Sequence, residues 1–286
     1  TDKNAKAVGV EFINRLSLKK SLIYCDYIFL SGSPLETIKI LLNSKCKKFL
    51  NGIGNDKKLV GKKFFDHIGI SFSALLFKKQ KNKSDKNFNP LNPNKKTNGF
   101  YFVPFRKKEK KNKLILNYSI HGTIDKKRNI ISIYSFADCP SYSKNIISIS
   151  KDKRDIYGVP FLKVNFKWMP EQISTWKDQK IVIQELVSIL KKSFNYDLHQ
   201  SISNFKVFNK LPNPGFSHHE SGGAIMGHSP NSSVVNKFGQ IWNCKNVYVC
   251  DQSIFPRLNY VNPTLTCMAI SLRSARIFTK ATKNKF

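Results

Sequence analysis

The feature that most constrains this chain is a pair of strand-to-helix passages, one near each end, with a different patterning between them. In the first, "SLIYCDYIFLS" (21–31) reads as a strand that passes through Gly32 into "SPLETIKILLNSK". Ser33 stands where a helix cap would, Pro34 suits the first helical position, and Glu36 completes a capping box. An earlier strand is expected over 5–12. In the second passage, Val247 to Cys250 form a short strand ending at Asp251, and "NPTLTCMAISLRSARIFTKA" follows as a helix. Asn262 is its expected cap, Pro263 its first position, and Leu265, Met268, Ala269 and Leu272 its inward stripe. Ligands of open α/β sheets sit where strands end and helices begin, and glycine at Gly32 would let a cofactor approach the backbone. An ordinary β-to-α turn is the competing reading.

Between these passages the period changes from helical to twofold. "LILNYSIHGTI" (114–124) sets Leu114, Leu116, Tyr118 and Ile120 against Asn117, Ser119, His121 and Thr123. "FLKVNFKW" (161–168) sets Leu162, Val164, Phe166 and Trp168 against lysines and Asn165. Such alternation describes antiparallel strands with one face on a core and the other in water, which places His121 on the solvated face. A helix is expected from Pro170 to Phe194, with Ile183, Leu186, Val187 and Leu190 on one side. The fold class expected is therefore mixed α/β and α+β: one α/β domain at the two ends, interrupted by an antiparallel-sheet domain with helices over 67–212.

Charge tests the binding alternatives. The formal net charge of +31 would ordinarily point to nucleic acid or an anionic surface. Only seven of the 49 basic residues are arginine, however, and the 42 lysines spread along the whole length. Bidentate phosphate and base recognition favours arginine, so the charge reads as a solvated surface and a basic nucleic-acid-binding protein is the lesser alternative. The densest runs, 77–99 and 106–113, are read as a mobile loop and a turn. No apolar run approaches the roughly 18 residues of a membrane span. Six cysteines without a CxxC pair suggest a reducing, cytoplasmic setting. Zinc held by His218, His219, Cys244 and Cys250 fails on spacing, and no metal is expected.

Two histidines in "SHHESGGAIMGHSP" (217–230) remain to be explained. Taken with "SSVVNKFGQIW", "NVYVCDQSIFP" and "VNPTLTCMAISLR", this stretch resembles the carboxy-terminal signature of the glucose-methanol-choline (GMC) flavoprotein oxidoreductases. "SGSPLETIKILLNS" and "VGKKFFDH" resemble that family's adenine-side strand and helix and its link to the substrate domain. The family's G-x-G-x-x-G turn, which holds the FAD pyrophosphate, does not occur, and "NGIGND" lacks the third glycine.

The resemblance implies an FAD-dependent oxidation of a CH–OH group in a small alcohol, sugar or polyol. It implies parts of a Rossmann-like FAD-binding domain over 1–66 and 213–286, and a substrate domain over 67–212. His219, seven residues before Met226, matches the catalytic histidine, whereas His218 and His228 flank it. A neutral imidazole is a suitable base for a hydroxyl proton. Asn262 matches its catalytic partner. The Asn262-Pro263-Thr264 turn would face the flavin's N1 and C2 carbonyl, where a helix amino terminus offers N–H groups and partial positive charge. Asp251 and the adjoining Gln252 would lie toward the ribityl chain and pyrophosphate, and Ser31 and Gly32 on the adenine side. The missing nucleotide-binding segment is expected to be supplied elsewhere, the electron acceptor is unspecified, and a catalytically silent fragment or half of a split enzyme is the alternative.

Overall fold

The computed structural model describes residues 5–78, 99–105, 115–125, 130–193, 196–199 and 210–282 of the 286. In chain order the elements are β1 (Gly9–Ile13), β2 (Lys20–Tyr24), β3 (Ile28–Leu30), α1 (Pro34–Asn43), β4 (Phe64–Phe65), β5 (Gly69–Lys78) and β6 (Gly99–Phe105). Next come β7 (Tyr118–Asp125), β8 (Ile130–Ala137), β9 (Cys139–Pro140), β10 (Ile146–Arg154), β11 (Pro160–Asn165), α2 (Pro170–Ser193) and β12 (Tyr196–His199). The chain closes with β13 (Ser221–Gly222), β14 (Val247–Val249), a 3-10 turn at Gln252–Ile254, β15 (Arg257–Leu258) and α3 (Thr264–Thr282). No helix among the described residues is long and apolar enough to cross a membrane.

The two ends of the chain meet. β3 and β14 pair in parallel, Leu30 opposite Val249, although more than two hundred residues separate them. Ile38 and Leu41 of α1 share a buried cluster with Phe65, Val235, Ile241, Val249 and Ile254. The middle of the chain builds a five-stranded sheet, in the order β12-β5-β8-β7-β6 and antiparallel throughout. One face of that sheet carries Ile70, Phe72, Tyr118, Ile120, Ile131 and Ile133, and it packs with Trp176 and Ile183 of α2 into a second cluster.

Several details depart from the sequence reading. The 21–31 stretch breaks at Cys25 into β2 and β3, so only its last part joins the parallel pair. Ser33 makes no capping hydrogen bond, and its φ of 80° turns the chain into α1 instead. Glu36 lies near Lys39 rather than closing a box. Val164 is exposed, while Trp168 is buried as expected. In α2, Ile183 is buried and Leu186 and Val187 pack beside it; the side chain of Leu190, Phe194, and the basic runs apart from 77, 78 and 99 lie outside the described residues.

The largest correction concerns α3. Leu265, Met268 and Leu272, the expected inward stripe, face outward and are 77%, 64% and 52% exposed. The helix rests on the β3–β14 pair through Cys267, Ile270, Ser274 and Phe278, a second stripe at helical spacing. Phe278 meets the rings of Tyr27, Phe29 and Tyr248 edge-on. Two faces of one helix carry apolar residues, so periodicity alone does not select the buried one.

Candidate active site

His219 lies on the segment that enters β13, and β13 pairs with β4 immediately before Asp66 and His67. Gly222 makes this pairing possible: its φ is +78°, and a Cβ there would run into the Lys63 carbonyl and the Phe65 ring. The pairing sets two histidine rings side by side. His67 Nδ1 is 2.9 Å from His219 Nδ1, with the rings nearly perpendicular at 84°. His67 Nε2 lies 2.5 Å from the carbonyl oxygen of Asn259.

Asp66 holds the backbone of this site. It is fully buried, and its carboxylate accepts N–H bonds from His67 (2.8 Å), His219 (3.2 Å) and Gly215 (2.8 Å). Burial, ahead of these bonds, raises its pKa from 3.8 to about 6, with Glu220 adding repulsion. Ser217 donates its hydroxyl to the His67 carbonyl at 2.9 Å, and the Cys139 thiol points to the Asp66 carbonyl at the same distance.

The floor of the site is the other face of the five-stranded sheet. Ser119 stands opposite Phe136, and His121 opposite Tyr134, one residue out of phase with the apolar face. The Phe136 ring stacks on His67 at 5.3 Å and meets His219 edge-on at 4.8 Å. Its room comes from Gly69 opposite, where an added Cβ would lie 3.0 Å from the ring. The sequence reading of His121 as solvated is therefore corrected: the period was right, but this face is covered, and His121 is buried against Tyr134 and Phe136. Ser119 donates to the Tyr260 carbonyl at 2.5 Å, which ties the loop before α3 to the same floor.

Desolvation is the leading cause of the shifts at all three histidines. It lowers the pKa of His67 from 6.5 to about 3 and of His219 to about 4, and it also lowers His121. His218 and His121 add repulsion at His219. All three rings are neutral at neutral pH. His218 itself is exposed, with φ of 54°, and His228 is exposed as well.

The remaining expected residues divide into two groups. Ser31 and Gly32 are exposed where β3 ends, beside Asp251 and Gln252 where β14 ends, because Cys250 N–H bonds the Leu30 carbonyl at 2.7 Å. Asp251 is not a surface carboxylate: it is buried, accepts from Ser253 N–H at 2.9 Å and from the Thr37 hydroxyl at 2.5 Å, and so pins α1 to the strand end. Gln252 accepts from Ser221 at 3.1 Å, linking that strand end to the His219 segment. Asn262 is exposed, and the helix begins at Thr264, so the cap position falls on the buried Pro263, and Asn262, the expected cap, stands one residue before it. No hydrogen bond joins Asn262 to His219 among the described residues. Asn262 lies three positions after Asn259, so its Cα is within about 11 Å of the residue that His67 touches.

Sequence reasoning missed His67. Its signal was the "FFDH" end of a segment already singled out for another reason, two buried aromatics followed by an acid and an imidazole.

Comparisons agree on the architecture. Residues 141–271 match the family model described as GMC oxidoreductase. Over 95% of its length the chain is 25% identical to 2-methyl-1,2-propanediol dehydrogenase of Mycolicibacterium austroafricanum, covering 51% of that protein. It is 24% identical to the fructose dehydrogenase large subunit of Gluconobacter japonicus over 96% of its length, again covering 51%. The crystal structure of pyridoxine 4-oxidase from Mesorbium loti superposes with a TM-score of 0.62 at 13% identity, covering 97% of this chain and 56% of that one. The chain thus spans about half the length of the curated relatives it matches.

Proposed function

Residues 141–271 match the GMC oxidoreductase model, and on that match we propose that the chain is a member of this family and that the protein oxidises the CH–OH group of a small alcohol or sugar with bound FAD. The observation that carries this reading is the neutral, half-buried His219, edge-on to Phe136 of the aromatic floor and joined through His67 to the loop that leads into α3. A base there takes the hydroxyl proton as the carbon loses hydride, a contribution of about 10²- to 10⁴-fold. Asn262, at the exposed mouth of the same loop, holds the substrate oxygen.

The residues present suit a flavin dinucleotide. The first-turn N–H groups of α3 have no intrahelical acceptors and carry partial positive charge, and Asn262 and Thr264 are exposed beside them. Ser31, Gly32, Asp251 and Gln252 converge at the carboxyl ends of a parallel strand pair, where open α/β sheets place ligands. The Ser253 hydroxyl, in the turn that follows, is buried with no partner among the described residues. In this reading Asn262, Pro263 and Thr264 hold the electron-accepting edge of the ring, and the strand-end residues hold the dinucleotide. When bound, FAD supplies the acceptor for the hydride.

The substrate class is supported by the relatives named for a diol and for fructose, and by the polar side of the sheet. Ser71, Ser73, Thr123, Ser132 and Tyr134 stand there, alternating with the buried apolar set. The same reading assigns 67–212 to substrate binding and 1–66 with 213–286 to the cofactor.

Anaerobic mixing of the flavin-loaded protein with fructose and with small diols tests the reading. Loss of the visible flavin absorption is expected with at least one of them. Retention of the oxidised spectrum with every alcohol and sugar tried would contradict it.

A further inference from the structure

The paired histidines carry more information than their proximity. A carbonyl oxygen only accepts, so the 2.5 Å contact with Asn259 requires that His67 Nε2 bear a proton. His67 is buried, and the Asp66 carboxylate is engaged by backbone N–H groups rather than by the ring, so no anion balances an imidazolium there. Its Nδ1 is then a bare lone pair, 2.9 Å from His219 Nδ1, which must be the donor. Which ring nitrogen of a histidine carries the proton is set by the bond the other one makes. The proton on His219 is thereby confined to Nδ1. Its Nε2 has no hydrogen-bond partner among the described residues.

We propose that His67 is a positioning residue that locks His219 as its Nδ1–H tautomer, so that Nε2 is the lone pair presented to the alcohol hydroxyl. The relay runs from His219 Nδ1–H to His67 Nδ1, and from His67 Nε2–H to the Asn259 carbonyl. A free histidine side chain favours the opposite, Nε2–H form, which would turn a donor toward the substrate and leave no base. Phe136 keeps both rings in register, stacked on one and edge-on to the other. The depressed pKa values of both rings agree with a relay of neutral imidazoles. Because Asn259 lies three residues before Asn262, the anchor of the relay and the proposed substrate-holding amide share one loop.

This inference rests on the reading of His219 as the base, and its test separates the two. In protein labelled with 15N-histidine, the ring-nitrogen shifts of His219 at neutral pH are expected to show a protonated Nδ1 and an unprotonated Nε2, and those of His67 the reverse. His67→Leu is expected to return His219 to the Nε2–H form and, in the flavin-loaded protein, to slow flavin reduction about tenfold, the scale of one hydrogen bond. His67→Asn is expected to restore both, because its Oδ1 occupies the place of Nδ1 and can accept. A wild-type spectrum with His219 protonated at Nε2 would overturn the relay even if His67→Leu failed to fold. That spectrum with His219→Ala still inactive would sink the relay and leave the base in place. A locked Nδ1–H tautomer with His219→Ala fully active would do the opposite.

Discussion

At the scale of single residues, the site depends on the buried carboxylate of Asp66. Asp66 accepts three backbone N–H groups from two separate segments, those of His67, Gly215 and His219. Asp66→Ala is expected to destabilise the protein by about 1–3 kcal/mol, the cost of abandoning the buried His67 donor, with smaller losses at the part-buried Gly215 and His219 donors. Urea denaturation measures it, and a loss below about 1 kcal/mol would mean that water replaces the carboxylate. Some residues at this scale were legible in the sequence and some were not. The family resemblance, through the spacing to Met226, pointed to His219 over His218, and the fold turns His219 toward Phe136 and leaves His218 exposed. His67 could not be chosen, because its partner lies 152 positions away and no local pattern encodes that contact.

At the scale of elements, two glycines separate structural from functional demands. Gly222 has a positive φ and backbone where a Cβ would go, so Gly222→Ala should unseat the β4–β13 pairing and lower the melting temperature markedly. Gly32 has no such constraint, its nearest neighbour to an added Cβ being Glu36 at 3.6 Å. Gly32→Ala should change stability by no more than about 0.5 kcal/mol while weakening flavin retention, measured by equilibrium dialysis. Retention unchanged would remove Gly32 from the proposed cofactor site. Start signals and apolar spacing found α1, α2, α3, β14 and the alternating β7, because these patterns are local. They did not settle which face of α3 is buried or what covers the polar face of β7, since both answers belong to segments far away in the chain. The Ser33 capping box did not form: Ser33 turns at φ 80° and its side chain makes no capping hydrogen bond.

At the scale of the whole molecule, the buried histidines make stability depend on pH with a definite sign. His67 and His219 have folded-state pKa values of about 3 and about 4, below their unfolded value of 6.5. Between those limits the unfolded chain binds protons that the folded chain refuses, so stability is complete above pH 6.5 and falls as pH drops toward 4. Asp66, raised from 3.8 to about 6, acts in the opposite direction between those two values, one group against two. The contribution of this site to the melting temperature should therefore decline on acidification from pH 7 to pH 4.5, and His219→Ala should flatten the profile. A steeper profile in the variant would show that the imidazole is already charged in the fold.

The central claim is that the His219 imidazole removes the hydroxyl proton, and rapid-mixing measurement of flavin reduction tests it most directly. With the flavin-loaded protein and a reactive alcohol, His219→Ala should slow reduction by about 10²- to 10⁴-fold with bound FAD retained, and His218→Ala should change it little. Equal loss from His218→Ala with His219→Ala near wild type would contradict the account.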